Sequence, residues 1–161
     1  MAEHNPISIR EALPEDLETV HKLWLALAEE MQSLDPVYKL SQSYPVQGLD
    51  FMREAIADDF AHVHLACDGD RPIGFAIIRL QFPHSLFEQK PQVHISDVYV
   101  VPDQRRRGVA TALVRHGIAY ARKKGISLVT LGVLAGAQAI GLYEKLGFKT
   151  YRLSMTCTVE G

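Results

Sequence analysis

Residues 93–133 constrain this chain more than any other stretch. An apolar run over 93–101 stops at Pro102, passes through Arg105-Arg106-Arg107-Gly108-Val109-Ala110, and enters a helical pattern reaching Lys124. A second apolar run covers 127–133. Two buried-type strands joined by one helix pair in parallel through a right-handed crossover. The helix start, with its unpaired N–H groups and positive dipole end, then falls in the arginine-rich turn. Gly108 and Ala110 leave room for backbone to approach a ligand, so the turn is expected to bind phosphate. The two commonest phosphate motifs, G-x-x-x-x-G-K-[ST] and G-x-G-x-x-G after a strand, do not occur here.

The remaining elements build around that unit. Alternation over residues 7–10 predicts a first strand. Pro14, Glu15 and Asp16 then suit the start of a helix whose apolar stripe is Leu17, Val20, His21, Trp24, Leu27, Ala28 and Met31. Residues 36–48 read as a loop and 49–60 as a second helix. Strands over 63–67 and 73–80 flank an Asp68-Gly69 hairpin signal, and a long polar connection spans 81–92. A short helix over 138–146 stops at Gly147, and alternation over 151–159 predicts a closing strand. The expected fold is α/β (α+β): a mixed central sheet of about six to seven strands with helices on both faces, residues 1–161 forming one domain.

Charge is unevenly spread. Residues 101–152 hold ten basic side chains against two acidic ones, a local +8 in a chain of net −2, so the rest carries −10. Residues 29–60 alone contain seven acids and two bases. The basic clusters Arg105–Arg107 and Arg122–Lys124 sit at opposite ends of one predicted helix, which argues against a nucleic-acid face. No apolar run reaches the ~20 residues of a membrane span, and the N-terminal residues lack a basic region followed by an apolar one. A cytoplasmic protein is expected, with Cys67 and Cys157 as small buried hydrophobes. His62 and His64 alternate on a strand, which makes no metal site without further ligands, and no metal is expected.

The turn 105–110 matches [QR]-x-x-G-x-[GA], and Ala139-Ile140-Gly141-Leu142-Tyr143-Glu144-Lys145-Leu146-Gly147-Phe148 matches A-x-x-L-Y-x-x-x-G-F. With one helix and one strand between these motifs, the chain resembles the GNAT superfamily of acetyl-CoA-dependent N-acetyltransferases along nearly its whole length. The resemblance implies acetyl-CoA as co-substrate, with the pantetheine arm along the backbone of Val98, Tyr99 and Val100. It implies pyrophosphate on the turn of Arg105, Arg106, Arg107, Gly108, Val109, Ala110 and Thr111, and further cofactor contacts at Gly136, Ala139 and Tyr143. Tyr143 would be the general acid for the departing thiolate. A homodimer through the closing strand region is also compatible with the resemblance. Two departures stand out: Gly136 occupies a position often held by asparagine, and Ser96 one where many relatives carry glutamate.

Acetyl transfer needs a neutral amine, so a base must take the ammonium proton, directly or through water. Asp97 on the cofactor strand is the leading candidate, the competing reading being a buried hydrogen-bonded carboxylate. Strict alternation would put His94 on the opposite face from Asp97 and outside the chemistry. His84 and Glu88 on the long connection are weaker candidates, and the acidic segment 29–60 suggests a wall for a cationic acceptor. The expected function is N-acetyl transfer to a primary amine of a small molecule or peptide. The alternative is a non-catalytic module that senses acetyl-CoA or CoA.

Overall fold

The structure, a computed structural model, describes residues 6–35, 37–86, 88 and 90–159. Strand β1 (Ile7–Glu11) leads through a 3-10 turn at Pro14–Asp16 into helices α1 (Leu17–Leu34) and α2 (Tyr44–Ala57). Strands β2 (Ala61–Asp68), β3 (Arg71–Gln81) and β4 (Gln92–Val100) follow. Helix α3 (Val109–Lys123), strand β5 (Val129–Leu131) and helix α4 (Ile140–Lys145) complete the order. The sheet runs β1-β2-β3-β4-β5, antiparallel except for the parallel β4–β5 pair that the crossover demanded.

Helices cover both faces. On one, α1 and α2 bury Val20, Leu23, Met52 and Ala55 against Val63, Leu65, Phe75, Ile77 and Tyr99. On the other, α3 buries Val109, Leu113 and Ala121 against Ala66, Ile73, Ala76, Ile78 and Val93. A large side chain of this kind contributes roughly 1.5–3 kcal/mol when fully buried. The two helix layers therefore fix the height of β4 from both sides. No helix among the described residues is long and apolar enough to cross a membrane.

Four expectations need correction. The sheet has five strands, because residues 151–159 form none: Leu153, Met155 and Val159 are more than four-fifths exposed. Alternation is a local property, whereas a strand also needs a paired edge, and β5 offers only three residues. Helix α2 begins at Tyr44, not at 49, because Pro45 is placed in its first turn, where a missing N–H costs nothing. Cys67 is buried as expected, but Cys157 is exposed in the unpaired tail.

The fourth concerns β4. Its register against β3 slips between Ile77, opposite Asp97, and Ile78, opposite Ile95, leaving Ser96 as an extra residue. Such a β-bulge restarts the alternation of faces. Val93 and Ile95 before it, and Val98 and Val100 after it, all lie on the α3 side. His94, opposite Arg79, and Asp97, opposite Ile77, therefore share the α1–α2 face, contrary to the strict alternation.

Candidate active site

The site begins where β4 loses its partner. β5 pairs only with Val93, His94 and Ile95, so the edge of β4 from Ser96 to Val100 has no strand beside it among the described residues. Backbone directions along that edge follow from the neighbouring hydrogen bonds. The Val101 N–H donates to Ile73 O on β3 at 3.0 Å. Two-residue alternation then points the polar groups of Tyr99 toward β3 and those of Val98 and Val100 into the open gap. The Val100 carbonyl accepts from Arg105 Nε at 2.9 Å, which leaves the Val98 groups and the Val100 N–H for a ligand. The Tyr99 side chain is buried against Phe75 with the Arg105 guanidinium over its ring at 5.6 Å, so it is part of the core.

Beyond Val101 the chain makes a 3-10 turn, Pro102–Gln104, and then the arginine run. Arg106 has a φ of 63° and Gly108 a φ of 80°, so the backbone folds back on itself just before α3. Gly108 occupies the N-cap position and has no side chain to cap the helix. The first bond into the helix is Ala112 N–H to Gly108 O at 2.9 Å. Among the described residues, the N–H groups of Arg106, Arg107, Gly108, Val109, Ala110 and Thr111 have no acceptor. Six successive free donors at the positive end of a 15-residue helix are an arrangement able to receive an anion.

The arginine side chains are less available than the sequence suggested. Arg105 pairs with Glu30 Oε2 at 2.5 Å. Arg107 donates to Asp68 Oδ2 at 3.1 Å and also bonds the buried Gln104. These two braces tie the turn to α1 and to the end of β2. Only Arg106 of the three is exposed without a side-chain partner among the described residues.

Gly136 has a φ of 81° in a turn closed by Ala137 N–H to Leu134 O at 3.0 Å. A left-handed residue is needed there, and glycine and asparagine are the two that enter that region most readily. Glycine meets that need without bringing a side-chain amide. Ala139 stands at the N-cap of α4.

Tyr143 lies on α4, half-buried, and burial pushes its phenol above the usual tyrosine range. Its hydroxyl has no hydrogen-bond partner among the described residues. The helix ends in a Schellman motif: Phe148 N–H donates to Tyr143 O at 3.0 Å and Gly147 N–H to Glu144 O at 3.0 Å, with Gly147 at a φ of 93°. The Phe148 ring stands edge-on to the Tyr143 ring at 6.0 Å.

Asp97 is the carboxylate at the bulge. Burial raises its pKa above the ordinary carboxylate range, opposed by the Ser96 hydroxyl, which donates to Oδ2 at 2.6 Å, and by the charges of Arg79 and His94. His94, which sequence alternation had set aside, is thus within electrostatic reach of the carboxylate. Arg79 lies over the Phe51 ring at 5.4 Å and 3.8 Å from Asp58. His84 and Glu88 are both exposed on the connection after β3. Three acids of segment 29–60 are paired with arginines, Glu30 with Arg105, Asp50 with Arg53 and Asp58 with Arg79, and Glu29 accepts from the Tyr44 hydroxyl. Among the described residues, no group of three or more His, Cys, Asp or Glu side chains is placed to hold a metal ion.

Known proteins share this fold. The model of the acetyltransferase (GNAT) family matches residues 21–148, from α1 through the Schellman exit of α4. An uncharacterized N-acetyltransferase of Methanocaldococcus jannaschii is 35% identical over 80 residues, 49% of this chain and 35% of that protein. The match thus spans about a third of that relative's length. Peptidyl-lysine N-acetyltransferase YjaB of Escherichia coli is 28% identical over 144 residues, 89% of this chain and 82% of that protein. The fold superposes on the BH1408 protein of Bacillus halodurans with a TM-score of 0.82 at 20% identity, over 94% of this chain and 99% of the other. It also superposes on the aminoglycoside N-acetyltransferase AAC(6')-Iy, solved in complex with CoA, with a TM-score of 0.74 at 18% identity, over 100% and 99%. With the family model matching 21–148 of its 161 residues, the chain belongs to the acetyltransferase (GNAT) family.

Proposed function

We propose that this protein is an N-acetyltransferase that takes the acetyl group of acetyl-CoA and places it on a primary amine. The observation that carries the proposal is the run of six partnerless N–H groups, 106–111, directly beyond the unpaired edge of β4. A diphosphate on the first and an amide-bearing pantetheine arm along the second would lead the thioester toward the Ser96 bulge.

The bound co-substrate supplies an activated acetyl thioester. The protein has to bind it, neutralise the amine and receive the charge that develops. Asp97 would take the ammonium proton, leaving the nitrogen lone pair free to form the C–N bond. A backbone N–H on β4 would donate to the thioester oxygen as negative charge builds there. As the C–S bond breaks, Tyr143 would give its phenolic proton to the sulfur. That phenol suits the task because it is protonated at neutral pH and its hydroxyl is not held by another group.

For the acceptor, Glu30, Asp50 and Asp58 are offset by arginines, whereas Glu29 is hydrogen-bonded to a neutral phenol and keeps its charge, so the negative charge along α1 and α2 is reduced but not removed. By its name, YjaB acts on peptidyl lysine. A relative 40% identical over 68 residues is the Escherichia coli N-acetyltransferase for an alanine of ribosomal protein bS18. A peptide or small-molecule primary amine is the acceptor class proposed here. The test is release of free CoA thiol from acetyl-CoA across a panel of amino acids, peptides and small amines. Amine-dependent release is the expected result. Tight CoA binding with no amine accelerating release would favour a sensor module instead.

A further inference from the structure

The bulge at Ser96 does more than aim Asp97. It brings His94, three residues earlier, onto the same face. We infer that His94 works with Asp97 as a coupled proton-removing pair, His94 being the outlet through which the proton taken by Asp97 leaves the site. This rests on the acetyl-transfer reading and adds to it a positioning residue that acts through Asp97.

Several observations converge on that histidine. His94 Nδ1 lies 2.9 Å from Thr130 Oγ1, on a threonine only 6% exposed. The contact joins β4 to β5 within the short paired segment just before the strands part. It fixes the ring plane. In the tautomer whose Nδ1–H donates to the threonine oxygen, Nε2 keeps its lone pair and is the proton acceptor. The charged groups facing His94 are Asp97 on its own strand and Arg79 across on β3, itself 3.8 Å from Asp58 at the C-terminal end of α2. Burial and Arg79 hold the imidazole below its ordinary pKa, while Asp97 acts the other way, so the ring is neutral and able to accept near pH 7.

The proton balance is simple. The ammonium N–H bond breaks, its electron pair stays on nitrogen, and the proton forms an O–H bond on Asp97. It then passes through an intervening water to His94 Nε2, restoring the carboxylate, and the imidazolium releases it to bulk water. Asp97 alone, raised by burial, holds its proton longer than an exposed carboxylate and benefits from such an outlet.

Two measurements test this. The first follows the His94 imidazole by NMR titration in wild type and in Asp97→Asn, and does not depend on turnover. Removing the carboxylate charge should lower the His94 pKa by about one unit; an unmoved titration would overturn the coupling. The second is the pH profile of kcat/KM for any accepted amine. His94→Gln should lower kcat/KM about tenfold at neutral pH and move the acid limb of the profile. Thr130→Val removes the hydroxyl partner but keeps the imidazole, so its acid limb should move less than that of His94→Gln. A His94→Gln profile that superposes on the wild type after scaling means that His94 is structural, and overturns the inference while acetyl transfer stands. Absence of amine-dependent thiol release in wild type would overturn the acetyl-transfer reading, and the relay with it, even if the NMR coupling is found.

Discussion

Phe148 holds Tyr143 twice: its N–H donates to the Tyr143 carbonyl at 3.0 Å, and its ring stands edge-on to the tyrosine ring at 6.0 Å. The G-F pair of the second motif therefore has a mechanical meaning. Gly147 supplies the left-handed stop, and the residue after it clamps the third residue from the helix end. Tyr143→Phe should leave that clamp intact and remove only the hydroxyl. The expected outcome is a fall in kcat of about a hundredfold with the KM for acetyl-CoA nearly unchanged, measured by thiol release. A wild-type kcat would take Tyr143 out of the mechanism.

Gly108 is the hinge of the proposed cofactor cradle. A Cβ there would meet nothing within 4 Å, so any cost of substitution comes from its φ of 80°. An L side chain in that region costs roughly 1–2 kcal/mol. Gly108→Val should relax the turn and move the N–H groups of 106–111 off their common focus. CoA affinity should fall by about tenfold or more in calorimetric titration, with the thermal midpoint lowered by a few degrees.

Arg107 and Arg105 carry a different expectation. Because Arg107 is bound to Asp68 and Gln104, and Arg105 to Glu30 and Val100, their roles are to shape the turn. Arg106→Ala should weaken CoA binding only a few-fold and reduce its dependence on ionic strength, as for an exposed charge. Arg107→Ala should cost stability as well as affinity, since it leaves the Asp68 carboxylate without this partner. Comparing chemical denaturation with CoA titration for the two variants separates these effects.

On the α3 side of the sheet, His64 is 6% exposed, and its Nδ1 has no hydrogen-bond partner. It lines a cleft of about 380 Å³ with Glu11, His62, His116 and Tyr120. Burial, with the nearby His116, lowers its pKa to about 4. A histidine whose folded pKa lies below its unfolded value of about 6.5 contributes stability that is present above the unfolded pKa. That stability is lost as pH falls toward the folded one. The loss from His64 alone should reach about 2 kcal/mol by pH 5. The urea midpoint should drop between pH 7.5 and 5, and His64→Leu should remove much of that drop. An equal drop in the variant would place the acid sensitivity elsewhere.

The two motifs were legible because each is a backbone device spelled by residue type. Gly108 and Ala110 mark a helix start whose N–H groups are left without acceptors among the described residues, and Gly147-Phe148 marks a helix stop. The crossover was legible from two apolar runs around one helical period. What the sequence did not disclose depends on partners. The bulge at Ser96 is a property of the β3–β4 register, and the residues of β4 alone read as an uninterrupted strand that sets His94 apart from Asp97. The tail 151–159 shows the converse, a strand-like alternation with no paired edge. Pro45 and the polar residues before it hid the start of α2, although proline in a first helical turn is itself a start signal. The engagement of Arg105 and Arg107 with Glu30 and Asp68 joins residues too distant in sequence to pair by inspection.

The most direct measurement of the central claim follows the backbone amides of the protein by two-dimensional NMR during titration with CoA. If residues 106–111 hold the pyrophosphate and the free edge of β4 holds the arm, those six amides and those of Val98 and Val100 should show the largest saturable shifts. The largest shifts falling elsewhere, with residues 106–111 unmoved at saturating CoA, would contradict the account.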